Sequence, residues 1–342
     1  MSQSSGPAGA MERHQVAVYV GALVAGGLVG RAAPGAGPGL EHALDPVLAL
    51  LLYVTFLQVP AADLLRSLRA GRFLTATLVA NFVVVPLVVA VMFPFLPADQ
   101  AVRLGVLLVL LAPCVDYVIV FSGLAGGSSR RLLAATPLLL LAQMILLPLF
   151  LHLFMGSGLA DVVEAGPFIE AFLVLIVIPL ALAWLTQAWA ARRAAGRKAA
   201  DAMGTTMVPL MAATLLTVVA SQVPQLGDSL ADVGRVVPFY LLFLLVMAFA
   251  GLALARLFRL GAHDGRALVF TGATRNSLVV LPLALALPDA LAVAAVVVVT
   301  QTLVEVIGMV VYVRTIPLLL PAAGAGAPAD GQRDGPARPP RR

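Results

Sequence analysis

Three short stretches of this 342-residue chain set reactive side chains among oily ones. In "LAPCVDYVIV" a proline, the only cysteine and an aspartate (Pro113, Cys114, Asp116) fall within four positions. In "TGATRNSLVV" the residues Thr274, Arg275, Asn276 and Ser277 are consecutive. In "VVVVTQTLVEVIGMVV" Gln301 and Glu305 stand four residues apart, which puts them on one face of a helix. The chemistry on offer is specific. A thiol is a soft ligand, although a lone buried cysteine also serves as a small apolar filler. A lone intramembrane carboxylate is a natural proton carrier, or else a hydrogen-bond partner that holds neighbouring elements in place. A guanidinium keeps its charge at every physiological pH. Hydroxyl and amide groups beside these, Thr274, Asn276 and Ser277 above all, suit a polar cavity.

Oily surroundings make these residues conspicuous. Hydrophobic residues make up 61% of the chain and charged residues 11%, against about 25% charged in soluble proteins. The mean hydropathy is +1.01. Long continuous apolar runs, rather than alternating stretches of about ten residues, point to membrane helices and away from a β-barrel. One cysteine excludes an internal disulfide and a multi-cysteine metal cluster. The four histidines, His14, His42, His152 and His263, form no ligand motif, so neither a metal nor another cofactor is expected. The formal charge of +5 is dispersed along the chain and does not suggest nucleic acid.

A hydropathy window of about twenty residues predicts ten spans. They run over 15–30, 43–60, 73–96, 102–124, 131–155, 166–189, 204–222, 235–257, 267–288 and 289–314. With that count, eighteen of the 22 Lys and Arg fall on one face and only Arg31, Arg103 and Arg235 on the other, while Arg275 lies inside a span. The positive-inside rule then places both termini in the cytoplasm of a plasma-membrane protein. The same split argues for keeping the first span rather than reading it as a cleaved leader. The expected organisation is a cytoplasmic N-terminus over 1–14, a five-helix repeat over 15–155, a second, inverted five-helix repeat over 156–320, and a disordered basic tail over 321–342. Odd-numbered halves insert in opposite senses, the arrangement of many secondary carriers.

The fourth span of each half carries the interrupted motif, Pro113 to Asp116 in one and Thr274 to Ser277 in the other. Paired interruptions of this kind point to a midplane site. Crossing of the two spans would bring Asp116 and Arg275 together as an ion pair, offsetting part of the desolvation each suffers alone. A guanidinium parked there would also occupy the place where a cation-coupled carrier holds sodium. Glu170 lies close to the outer end of its span and is expected to reach headgroups.

Together "LAPCVDYVIVFSGLAGGS", "FTGATRNSLVVLPLALAL" and "TQTLVEVIGMVVYVR" resemble the arsenical-resistance permeases, arsenite exporters within the bile acid:sodium symporter superfamily. The resemblance implies a panel of spans 1, 2, 6 and 7 against a core of spans 3–5 and 8–10, with spans 4 and 9 crossing beside the substrate. It implies Cys114 as the arsenite contact, Asn276 as the second residue of an asparagine pair, and Glu305 as the proton-coupling carboxylate. This chain departs from the family at Arg275, where the first asparagine stands, and at Asp116, where a small or polar residue stands.

The function expected is export of arsenite against protons by alternating access, with no enzymatic activity. The alternative is a sodium-coupled organic-anion symporter of the bile-acid type. A non-transporting sensor and an intramembrane aspartyl protease are remote readings, the latter because it needs two paired aspartates. The expected partners are a small inorganic or organic anion, a proton or Na+, and the bilayer.

Overall fold

In the computed structural model, residues 14–33, 35, 37–57, 71–115, 117–156, 173–222 and 226–321 are described. Asp116, Glu170, most of the N-terminal segment and nearly all of the tail lie outside these residues. The described chain is all-α. Its helices are α1 (Gln15–Ala32), α2 (Gly37–Leu57), α3 (Gly71–Phe95), α4 (Gln100–Leu110) and α5 (Tyr117–Leu124). They continue with α6 (Ser129–Met155), α7 (Ile178–Arg192), α8 (Ala194–Gly204) and α9 (Met207–Gln222). The last four are α10 (Leu226–Leu257), α11 (Ala262–Ala273), α12 (Ser277–Leu285) and α13 (Val293–Leu319).

Among the described residues, four helical stretches are long and apolar enough to cross a membrane: α3, α6, Gly234–Leu257 of α10, and α13. A fifth is added if α8 and α9, bent by 41°, count as one span. Their outer surfaces are oily. Val91, Ile145 and Leu153 are 70%, 72% and 73% exposed, a pattern that suits lipid tails and not water. The chain is therefore a multi-pass helical membrane protein.

Not all of the ten expected spans are single helices, as the interrupted motifs of the fourth and ninth already imply. The fourth and ninth are each cut in two, leaving pieces of 11, 8, 12 and 9 residues. At 1.5 Å per residue, none of these pieces alone traverses a hydrocarbon core about 30 Å thick. The expected sixth span, 166–189, begins on residues outside the described set, and its described part opens with a π-helical stretch, Leu173–Val177.

Packing divides the helices into two groups. Helix α9 packs closely on α1 and α2, and α2 packs on α7, forming a small bundle. In the larger group α13 packs on α4, α10 and α12, and α11 packs on α10, α5 and α3. The groups meet chiefly where α12 touches α2 and α13 touches α9. This grouping matches the panel and core that the family resemblance implies.

Small residues let the backbones approach, as membrane helix pairs require when no solvent drives them together. A Cβ added at Gly26 of α1 would stand 2.6 Å from the Leu216 carbonyl of α9. One added at Gly105 of α4 would stand 2.7 Å from the Ala294 carbonyl of α13. Helix α13 is further tied to α10 by hydroxyls. Tyr240 donates to the Val297 carbonyl at 3.0 Å, and Tyr312 donates to the Leu244 carbonyl.

Candidate functional site

Both broken helices solve the same problem. In hydrocarbon every backbone N–H and C=O needs a partner within the protein. Pro113 has no N–H and disfavours helical geometry at Ala112, so α4 ends at Leu110. Helix α11 ends at Ala273, where the Thr274 hydroxyl donates to the Phe270 carbonyl at 2.9 Å. Helix α12 starts under an Asn276 cap, whose Oδ1 accepts the Val279 N–H at 3.3 Å.

The two breaks then satisfy each other. Asn276 N–H donates to the Ala112 carbonyl at 2.8 Å, and Cys114 N–H donates to the Thr274 carbonyl at 3.2 Å. These bonds form an isolated antiparallel bridge pairing Pro113 with Arg275. The crossing expected from the sequence is thus a short β-type clasp between interrupted helices.

Arg275 is wholly buried at this clasp. Its Nη2 donates to Asn81 Oδ1 and to the Thr271 and Gly272 carbonyls, each at 2.8 Å, and its Nη1 donates to the Leu110 carbonyl at 3.2 Å. Leu110 is the last residue of α4, and Thr271 and Gly272 lie in the last turn of α11. The guanidinium therefore sits at the C-terminal ends of two half-helices, where the helix dipoles are negative. The Phe243 ring of α10 adds a cation–π contact, with the guanidinium carbon 5.6 Å from the ring centroid.

Asn81 reaches the guanidinium from the π-helical stretch Ala80–Val84 that interrupts α3. Its own amide donates to the Thr77 carbonyl at 3.0 Å. The backbone N–H of Arg275 is taken by Glu305 Oε2 at 2.8 Å, and the Gln301 side-chain amide donates to the same oxygen. Glu305 thus ties α13 to the second break.

The structure brings Cys114, Thr274, Arg275, Asn276, Ser277, Gln301 and Glu305 into one buried region around the clasp. Asp116 is outside the described residues, so its expected pairing with Arg275 is not part of this description. Among the described residues, Asn276 Nδ2, Ser277 Oγ and Gln301 Oε1 have no hydrogen-bond partner. Asn276 Nδ2 is a donor, Gln301 Oε1 an acceptor, and Ser277 Oγ can act as either.

Ser277 also lines a small recess between the two bundles, with room for about one water-sized group. Its other walls include Leu281 of α12, Val298 and Thr302 of α13, and Leu215 and Val219 of α9.

Nothing in the sequence connects Asn81 with Arg275. The signal that selects it is the π-helical stretch, which hydropathy does not carry. Three of the guanidinium's acceptors among the described residues are likewise invisible in the sequence, because they are backbone carbonyls.

Residues 45–231, more than half of the chain, match the sequence pattern described as the sodium bile acid symporter family. The matched segment contains the first break, at Pro113 and Cys114, and stops short of Arg275 and Glu305. No curated protein matches the chain.

Proposed function

The chain belongs to that sodium bile acid symporter family, and from this premise we propose a secondary active transporter that exports arsenite in exchange for protons. The proposed architecture is ten spans in two inverted five-helix repeats, in the plasma membrane with both termini cytoplasmic. Rocking of one bundle against the other gives alternating access to the crossing. The observation that carries this reading is the set of unpartnered Asn276, Ser277 and Gln301 atoms around the clasp that also holds Cys114.

Trivalent arsenic is thiophilic and its hydroxide carries several O–H groups. One thiol with amide and hydroxyl neighbours holds it less tightly than three thiolates, and a carrier must release its cargo. In this reading Cys114 is the soft contact, and Thr274, Asn276 and Ser277 are the polar ones. Glu305, steadied by Gln301, carries the proton once it leaves its two N–H donors.

The family description favours a second reading, a sodium-coupled symporter of organic anions. One experiment separates the two: arsenite accumulation in everted vesicles under an imposed pH gradient, with wild type, Cys114→Ser and Glu305→Gln compared. The proposal expects Cys114→Ser to lower arsenite flux roughly tenfold, equivalent to about 1.4 kcal/mol. It expects Glu305→Gln to abolish the response to the pH gradient. Equal flux in wild type and Cys114→Ser would remove the thiol from the site. Absence of arsenite flux, with sodium-dependent uptake of a bile salt, would establish the second reading.

A further inference from the structure

Coupled carriers hold a free cation with unwound backbone carbonyls and the C-terminal ends of half-helices. That oxygen cage exists in this chain, and a side chain of the chain fills it. The Leu110 carbonyl comes from the end of α4, the Thr271 and Gly272 carbonyls from the end of α11, and Asn81 Oδ1 from α3. All four are oxygens, all are within 3.2 Å of a guanidinium nitrogen, and the guanidinium is fully buried. We infer that Arg275 is a tethered cation standing in the place of a coupling ion, so that the crossing is charge-complete without sodium.

Two further features support the assignment. The guanidinium charge meets the negative ends of both half-helices at once, a point on which one mobile cation would otherwise settle. The backbone of the same residue is anchored on both sides, by Glu305 at the Arg275 N–H and by the Asn276 N–H on the Ala112 carbonyl. The charge is therefore held at the clasp and is not free to leave with a transported solute. This inference gains its physiological meaning from the carrier reading, but its test does not depend on any flux.

The test is thermal unfolding of the full-length protein in detergent, titrated with sodium chloride, guanidinium chloride at low millimolar concentration, or choline chloride. Wild type should respond identically to sodium and choline. Arg275→Ala should unfold at lower temperature, and sodium or guanidinium should restore it saturably where choline does not. The gain is about 3 °C at a concentration ten times the dissociation constant. A variant that no small cation stabilises over choline would show the arginine to be a structural tie only, and would overturn the inference.

Should Arg275→Ala fail to accumulate, wild type and Arg275→Lys decide the matter. Each carries its own cation and must be indifferent to sodium. Sodium-specific stabilisation of wild type overturns the assignment whatever the variants do. Failure of arsenite export, by contrast, leaves these unfolding results unchanged, so the two proposals fall separately.

Discussion

The two interruptions of this protein reach one clasp by different means. The first, at Pro113 and Cys114, is made by removal: proline lacks an N–H, and the backbone groups on either side turn outward to Thr274 and Asn276. The second, at Thr274 to Asn276, contains no proline and is made by addition. A hydroxyl closes α11, an amide caps α12, and a guanidinium collects the carbonyls that both helix ends leave over. The first break lies inside the segment that matches the family and the second lies outside it. A helix can thus be opened in hydrocarbon cheaply by proline, but the surplus acceptors it creates must be answered elsewhere. Here Arg275 and Asn276 of the opposite break answer them, at the Leu110 and Ala112 carbonyls.

If that division of labour is right, damage to the second break exceeds damage to the first. Arg275→Ala in sodium-free buffer strands four buried oxygens and should cost about 3–5 kcal/mol, read as a fall in unfolding temperature in detergent. Loss of the cap comes next. Asn276→Ala removes the bond to the Val279 N–H and should cost about 1 kcal/mol by the same measurement. Pro113→Ala should cost least, about 0.5 kcal/mol, because the backbone bonds at Ala112 and Cys114 survive the change. A Pro113→Ala loss as large as that of Arg275→Ala would break the comparison. It would mean that the proline, and not the guanidinium, holds the clasp together.

Much of the fold was legible in the sequence, because hydropathy and proline act locally. Both interruptions fell where Pro113 and the run Thr274 to Ser277 placed them, and the i, i+4 spacing of Gln301 and Glu305 became a real contact. A window average marks ten oily segments but runs straight across a break of a few residues, so among the described residues four helical stretches, or five with the bent pair, are long enough to span alone. The site was legible in its members and much less so in its wiring. Glu305 was read as a proton carrier or a hydrogen-bond partner, and its bond to the Arg275 N–H depends on a helix thirty residues away in sequence.

Taken alone, the sequence determined the solvent of this protein and the places where its helices break. An oily chain with few charges has no other stable home than a bilayer, and the clustered interruptions at Pro113 and at Thr274 to Ser277 mark the breaks, although Pro137 and Pro148 sit inside the continuous helix α6. Only the tertiary structure decided what answers Arg275. Its partners Leu110 and Asn81 lie 165 and 194 residues away, and three of its acceptors among the described residues are peptide carbonyls, a group that every residue carries and that no residue type announces.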